Sequence, residues 1–198
     1  MLSAIVLAAG SSKRMGSINK LLLPYKSKTV LATVAENIIA SGIKEIIAVV
    51  GYESEKVKEA LADLPVLFAE NREYEKGMTT SIQKGVLHAT GNGYMICLTD
   101  MATITAEEYA FMKNNFDEQI QINPKCICLP RYKNEKGNPV IFSAYYREAI
   151  LQHKDPEGCR EIVQSNKEHV YWIEMNDAHI LEDLDYPEDY EKLNTIIT

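Results

Sequence analysis

The sequence lacks any long hydrophobic run: no stretch approaches the roughly 18 consecutive apolar residues that a membrane span needs. Residues 4–9 are apolar, but no basic segment precedes them and they are too few for a secretory core. The expectation is a soluble, cytoplasmic chain with no membrane partner. A basic excess is also missing. Lys and Arg number 21 against 28 Asp and Glu, a net charge of −7, which excludes general binding to nucleic acid or anionic membranes. The four cysteines (Cys97, Cys126, Cys128 and Cys159) contain no CxxC pair, and three lie in apolar, strand-like runs. They read as reduced, mostly buried thiols, not as a disulfide framework or a metal cluster. His88, His153, His169 and His179 show no ligand spacing and read as structural or solvent-facing. The single Trp172 alternates within a strand and reads as core.

Two phosphate-loop signatures are absent as well. No GxGxxG follows the first strand, which argues against a nicotinamide oxidoreductase. No Gly-Lys-Ser/Thr marks a Walker A loop.

What remains is an ordinary globular composition, 46% apolar and 25% charged over 198 residues, enough for one substantial core. Strand and helix patterns alternate. Strands are expected at Leu2–Ala8, Glu45–Val50, Val66–Ala69, Tyr94–Leu98, Lys125–Leu129, Pro139–Ser143 and Val170–Glu174. Helices are expected at Val30–Ala40, Glu53–Ala62, Thr80–Ala89, Ala106–Asn115, Ala144–Gln152, Gly158–Asn166 and Pro187–Ile197. This order predicts a single α/β domain over residues 1–198, with a mostly parallel sheet covered on both faces. Ligands of such sheets bind outside the carboxyl ends of the strands, here the loops after residues 8, 69, 98 and 174.

Those loops carry chemistry. Leu7-Ala-Ala-Gly-Ser-Ser-Lys-Arg-Met-Gly16 leads from the first strand to Lys20 and places small residues and cations together. That is a solvated Gly/Ser turn or a phosphate cradle, in which Arg14 grips phosphate through its planar fork and Lys20 acts as a point charge. Gly77-Met-Thr-Thr-Ser81 opens a helix, and Thr80 and Gln83 have capping-box spacing. Asp100 follows the strand at Tyr94–Leu98, where it either caps the next turn or holds Mg²⁺, which needs few protein ligands when phosphates supply the rest. Asp183 and Asp185 precede Pro187, a favoured first helical residue.

Taken together, LAAG-x-S-x-RMG with K-LLLP, the GMTTS segment, LTDMATIT, GNPVIF, DPEGCR and LEDLDYPEDY resemble the MobA-like nucleotidyltransferases, most closely their molybdenum cofactor cytidylyltransferase branch. All six segments occur in family order between residues 1 and 193. The resemblance implies a Rossmann-like nucleotide-diphospho-sugar transferase fold of three α/β/α layers. It implies Mg²⁺-dependent transfer of CMP from CTP to the terminal phosphate of molybdopterin, with release of pyrophosphate and delivery of the product to a molybdenum hydroxylase. Nucleotide-binding residues would be Leu7, Ala8, Ala9, Gly10, Ser12, Arg14, Lys20, Thr79, Thr80 and Ser81, with Arg14, Lys20 and Asp100 catalytic. The metal would be held by Asp100 and by Asp185, with Asp183 as the alternative. The acceptor would meet Asn138, Asp155 and Arg160.

The chain departs from the family pattern at four places: Ala102 for the usual Pro, Asn138 for the usual His, Cys159 for a small residue, and Tyr186 for the usual Thr. The Asn138 change keeps open a different phosphorylated acceptor, and GTP is the alternative nucleotide. A non-catalytic maturation factor that carries the cofactor is the alternative of another class.

Overall fold

The first strand, β1 (Leu2–Ala8), is apolar on both faces, and such a strand is stable only when both are covered. The computed structural model, which describes residues 1–12 and 18–195, places β1 inside an eight-stranded sheet. In chain order the elements are β2 (Pro24–Tyr25), β3 (Lys28–Thr29), α1 (Val30–Ala40), β4 (Glu45–Val50), α2 (Ser54–Ala60), β5 (Leu67–Glu70), α3 (Met78–His88) and β6 (Gly93–Leu98). They continue with α4 (Ala106–Ile122), β7 (Ile127–Tyr132), β8 (Glu135–Lys136), β9 (Val140–Ser143), α5 (Arg147–Gln152), α6 (Arg160–Ser165), β10 (Val170–Glu174) and α7 (Pro187–Thr195).

The sheet order is β10-β7-β9-β6-β1-β4-β5, with β8 added to β7. All neighbours are parallel except β9, which runs antiparallel to β6 and β7, and β8, antiparallel to β7. The path β1-α1-β4-α2-β5 moves outward on one side, and α3 then carries the chain back to β6 on the other. The sequence order therefore reverses between β1 and β6, and there the carboxyl ends of the strands leave a crevice.

The strand period of two sorts the core into two halves. Ala4, Val6 and Ala8 pack with Val34 and Ile38 of α1 and with Met112 and Phe116 of α4. Ile5 faces the other way, with Ile82 and Val86 of α3 and Ile150 of α5. On that face α3 lies so close to β1 that a Cβ on Gly85 would sit 2.2 Å from Ile5 Cγ2.

The sheet, its coverage and the four buried free thiols agree with the sequence expectation. Several local expectations need correction. Thr80 and Gln83 form no capping box. The helix begins earlier, at Met78 after Gly77, and Gln83 Nε2 instead donates to the carbonyls of Ile150, Leu151 and His153. The capping box lies at Thr105 and Glu108, and α4 runs on to Ile122 because Phe116 is a buried anchor. Trp172 is not core. It lies 39% exposed on the edge strand β10, with the Arg131 guanidinium 5.2 Å from its ring centroid. The hairpin of β2 and β3 is too short for a pattern to reveal. Among the described residues no helix is long and apolar enough to cross a membrane.

At the amino end of the sheet, Glu45 ties β4 to the turn before β6. Its carboxylate accepts hydrogen bonds from Ser3 Oγ, from Thr90 N (2.9 Å) and Oγ1 (2.7 Å), and from Gly91 N (3.3 Å). Burial opposes ionisation there, but these donors outweigh it and hold the Glu45 carboxyl below its ordinary value. A depressed carboxyl adds stability above its unfolded pKa, and that stability is lost as pH falls through the folded one. Glu45→Ala should therefore cost about 1–3 kcal/mol at pH 7. In urea unfolding, the gap to the parent protein should shrink as pH is taken below about 4.

Candidate active site

The crevice between β1 and β6 holds a cavity of about 480 Å³. On the β1 side its wall is formed by Leu7, Ala9, Gly10, Ser11 and Ser12, and on the β6 side by Leu98, Thr99 and Asp100. Tyr74, Gly77, Met78 and Ser81 close it from the start of α3, and Lys20 and Asp185 complete it. The two strand ends are fastened together, since Thr99 Oγ1 donates to the Leu7 carbonyl at 2.7 Å. Lys20 N donates to Ser12 Oγ at 3.2 Å.

Lys20 lies at the centre. Its Nζ is 2.7 Å from Asp100 Oδ2 and 2.9 Å from Asp185 Oδ1. The three side chains retain only 14%, 18% and 26% of their exposure, so water screens this bridge far less than it screens a surface pair. Burial alone would lower the Lys20 pKa. Attraction and hydrogen bonds from Asp100, then from Asp185, outweigh it and raise the ammonium above its ordinary value, so Lys20 is charged at neutral pH.

Asp185 is delivered by the segment before α7, where Leu184 is buried in the core and Asp189 Oδ2 accepts from the N–H groups of Asp185 (3.2 Å) and Tyr186 (2.9 Å). Asp183, the alternative ligand, is exposed and does not line the cavity. Its carboxyl is pushed up by partial desolvation first, then by Asp185 and Asp100.

Fit to a divalent cation can be tested on Asp100 itself. Its Oδ1 is buried and has no hydrogen-bond partner among the described residues. A buried carboxylate oxygen is costly to leave unpaired, and a hard oxygen-binding cation such as Mg²⁺ is the partner that such a donor suits. Asp100 and Asp185 could hold such an ion.

The remaining expected nucleotide residues divide. Leu7, Ala9, Gly10, Ser12, Lys20 and Ser81 line the cavity, and Arg14 lies outside the described residues. Ala8, Thr79 and Thr80 do not line it. Ala8 points into the core on the α1 face because it alternates with Leu7. Thr80 Oγ1 donates to the Gly77 carbonyl at 2.9 Å, which closes the first turn of α3. Thr79 Oγ1 donates to the Asp155 carbonyl and accepts from Gly158 N at 3.0 Å. Asn71, which sequence reading passed over, donates to Ser81 Oγ and to Thr80 Oγ1, both at 2.9 Å. Its position just past β5, at a strand's carboxyl end, was the available signal.

A second cavity of about 210 Å³ adjoins the first, and Met78 and Leu98 line both. Asn138 and Arg160 meet there, with Lys136, which the sequence reading did not single out. Asp155 does not line it. Its Oδ1 instead accepts from Glu157 N at 2.9 Å and shapes the turn that leads to Arg160. That turn lies against α3: at Gly77, with φ of +117°, a Cβ would stand 2.5 Å from the Pro156 carbonyl oxygen. The fold also brings His153, Asp155 and Glu161 together, their donor atoms within 4.8 Å of one another, which linear spacing did not suggest.

Residues 4–170 match the MobA-like NTP transferase domain. The chain belongs to that family. As a member it is a nucleotidyltransferase enzyme of the Rossmann-like nucleotide-diphospho-sugar transferase fold. It is 26% identical to the molybdenum cofactor cytidylyltransferase of Escherichia coli over 96% of this chain and 93% of that one. It is 28% identical to a probable molybdenum cofactor guanylyltransferase of Methanosarcina acetivorans, over 81% and 71%. A nicotine blue oxidoreductase of Paenarthrobacter nicotinovorans is 24% identical over 96% and 95%. Among solved structures, a nucleotidyl transferase from Methanothermobacter superposes with a TM-score of 0.86 at 20% identity, covering 99% and 97%. A Mycobacterium tuberculosis protein, Rv0371c, solved in complex with manganese, gives 0.75 at 23% identity, covering 97% of each chain.

Thr79 joins the two halves of the site without lining either. Thr79→Val, nearly isosteric, strands the Gly158 N–H and the Asp155 carbonyl. It should lower the unfolding free energy by about 1–3 kcal/mol in urea titration.

Proposed function

We propose that this enzyme transfers CMP from CTP to the terminal phosphate of a molybdopterin-type acceptor, with Mg²⁺ and with release of pyrophosphate. The observation that carries the reading is the pairing of Asp100 and Asp185 on the Lys20 ammonium in a triphosphate-sized cavity that adjoins a second cavity bearing Arg160 and Lys136. The cytidylyl preference rests on the LAAG form of the loop after β1 and on the Escherichia coli relative. The manganese complex of a protein with this fold supports a divalent metal.

In this reading the nucleotide's phosphates lie along Gly10, Ser11 and Ser12, where small residues let the backbone approach, and Arg14 and Lys20 face them with positive charge. Ser81 and the Leu7–Ala9 wall meet the base or ribose. Asp100 and Asp185 hold Mg²⁺, which when bound neutralises charge on the phosphate oxygens. Arg160 and Lys136 orient the acceptor phosphate, and Asn138 offers it a hydrogen-bonding group that does not titrate near neutral pH. The acceptor oxygen attacks the α-phosphorus, one P–O bond forms as the bond to pyrophosphate breaks, and the phosphate nucleophile is already ionised. Alignment and charge neutralisation thus carry the catalysis. The product would be handed to a molybdenum hydroxylase.

The decisive measurement is pyrophosphate release with each nucleoside triphosphate, Mg²⁺ and molybdenum cofactor. Release with CTP is expected. Release only with GTP, or only with another phosphorylated acceptor, overturns that part of the assignment. A redox activity without release would favour the chemistry of the nicotine blue relative. Asp100→Ala should lower kcat/KM by about 10³-fold or more with its fold intact by circular dichroism. A carrier protein would instead go on supporting its partner enzyme after that change.

A further inference from the structure

We propose that Lys20 is an internal counter-ion that closes the carboxylate pair to a free divalent cation, so that the cation enters together with the triphosphate. The inference rests on the metal-dependent reading above and adds an order of binding to it. One ammonium contacts two carboxylates that lie 80 and 165 residues away in the chain, at 2.7 and 2.9 Å. A divalent ion chelated by Asp100 and Asp185 has to occupy the space between those same oxygens. Two cations held there with little water between them repel strongly. Lys20 must therefore leave before the metal can bind both carboxylates.

The geometry gives it somewhere to go. Lys20 lines the same cavity as Gly10, Ser11 and Ser12, which reach the expected phosphate positions. Its backbone is pinned twice: Lys20 N donates to Ser12 Oγ, and the turn from Lys20 to Leu22 is capped by Asn19, whose Oδ1 accepts from Leu21 N at 3.2 Å. The four-carbon side chain can thus swing from carboxylates to phosphate without moving the loop. A polyphosphate supplies Lys20 with replacement anions at the moment its carboxylates take the metal. Metal alone offers no such exchange, and it leaves an ammonium stranded among partly buried groups.

The test uses Mn²⁺ as the probe, read by loss of the free-ion electron paramagnetic resonance signal. After subtraction of the ion held by the same analogue in protein-free solution, the parent protein should bind Mn²⁺ at least about ten-fold more tightly in the presence of a non-hydrolysable CTP analogue than without it. Lys20→Met should bind Mn²⁺ without nucleotide at least about ten-fold more tightly than the parent does, whereas Lys20→Arg, which keeps the charge, should exclude it as the parent does. Equal Mn²⁺ affinity of the parent with and without nucleotide overturns the inference. So does equal nucleotide-free affinity of Lys20→Met and the parent. If Lys20→Met does not fold by circular dichroism, Lys20→Gln takes its place, and the measurement on the parent decides in either case. Failure of nucleotide and Mn²⁺ to bind in any combination is a different result, and it overturns the transferase reading itself.

Discussion

The hydrogen-bonded register of β1 between two parallel neighbours is the constraint from which the site follows. Ala8 pairs with Val50 on one side and Leu7 with Leu98 on the other, so the three strands end at one level. A parallel strand saturated on both edges cannot extend further without partners for its backbone, and the chain must turn out of the sheet. It does so through Gly10 on β1 and through Thr99 and Asp100 on β6. Asp100 and the glycine-containing loop after β1 are thereby neighbours through backbone geometry alone, although some 90 residues separate them.

Electrostatics then completes what the sheet begins. The chain is acidic overall, so a phosphate site depends on cations that are placed locally. Lys20 meets that need, and the two carboxylates beside it keep it ionised despite burial. The arrangement has a second consequence. Asp100 and Asp185 would repel each other if left alone, and the Lys20 ammonium that contacts both offsets that repulsion.

Helix α3 couples the two halves. Its first turn faces the larger cavity through Ser81, its Met78 lines both cavities, and Thr79 and Gln83 grip the 153–158 turn that presents Arg160. The approach is close enough that Gly77 tolerates no side chain and Gly85 packs directly on Ile5. A shift of α3 would move groups of both cavities at once.

Much of this was legible in the chain itself. Local apolar runs bounded by turn residues identify strands and helices, because burial on one or both faces leaves a period that composition cannot hide. Asp100 stands out in the sequence as a carboxylate just past a buried strand, where it either caps the next turn or holds a cation. Where side chains act through long-range hydrogen bonds, the sequence was silent or misleading. Thr80 and Gln83 have the spacing of a cap, but their polar atoms are taken by Gly77 and by carbonyls of the α5 region. Asp155 Oδ1 accepts from Glu157 N in the turn before Arg160, a bond that motif spacing does not specify, and Trp172 alternates like a core residue on a strand that proves to be an edge. The sequence by itself determined the layered fold and the loops from which chemistry would come, since both follow from local patterning. Only the tertiary structure decided that Asp185 and not Asp183 shares the Lys20 ammonium with Asp100, and that Lys136 lines the same cavity as Arg160. Those contacts depend on how elements distant in the chain are packed together, and no local period records that.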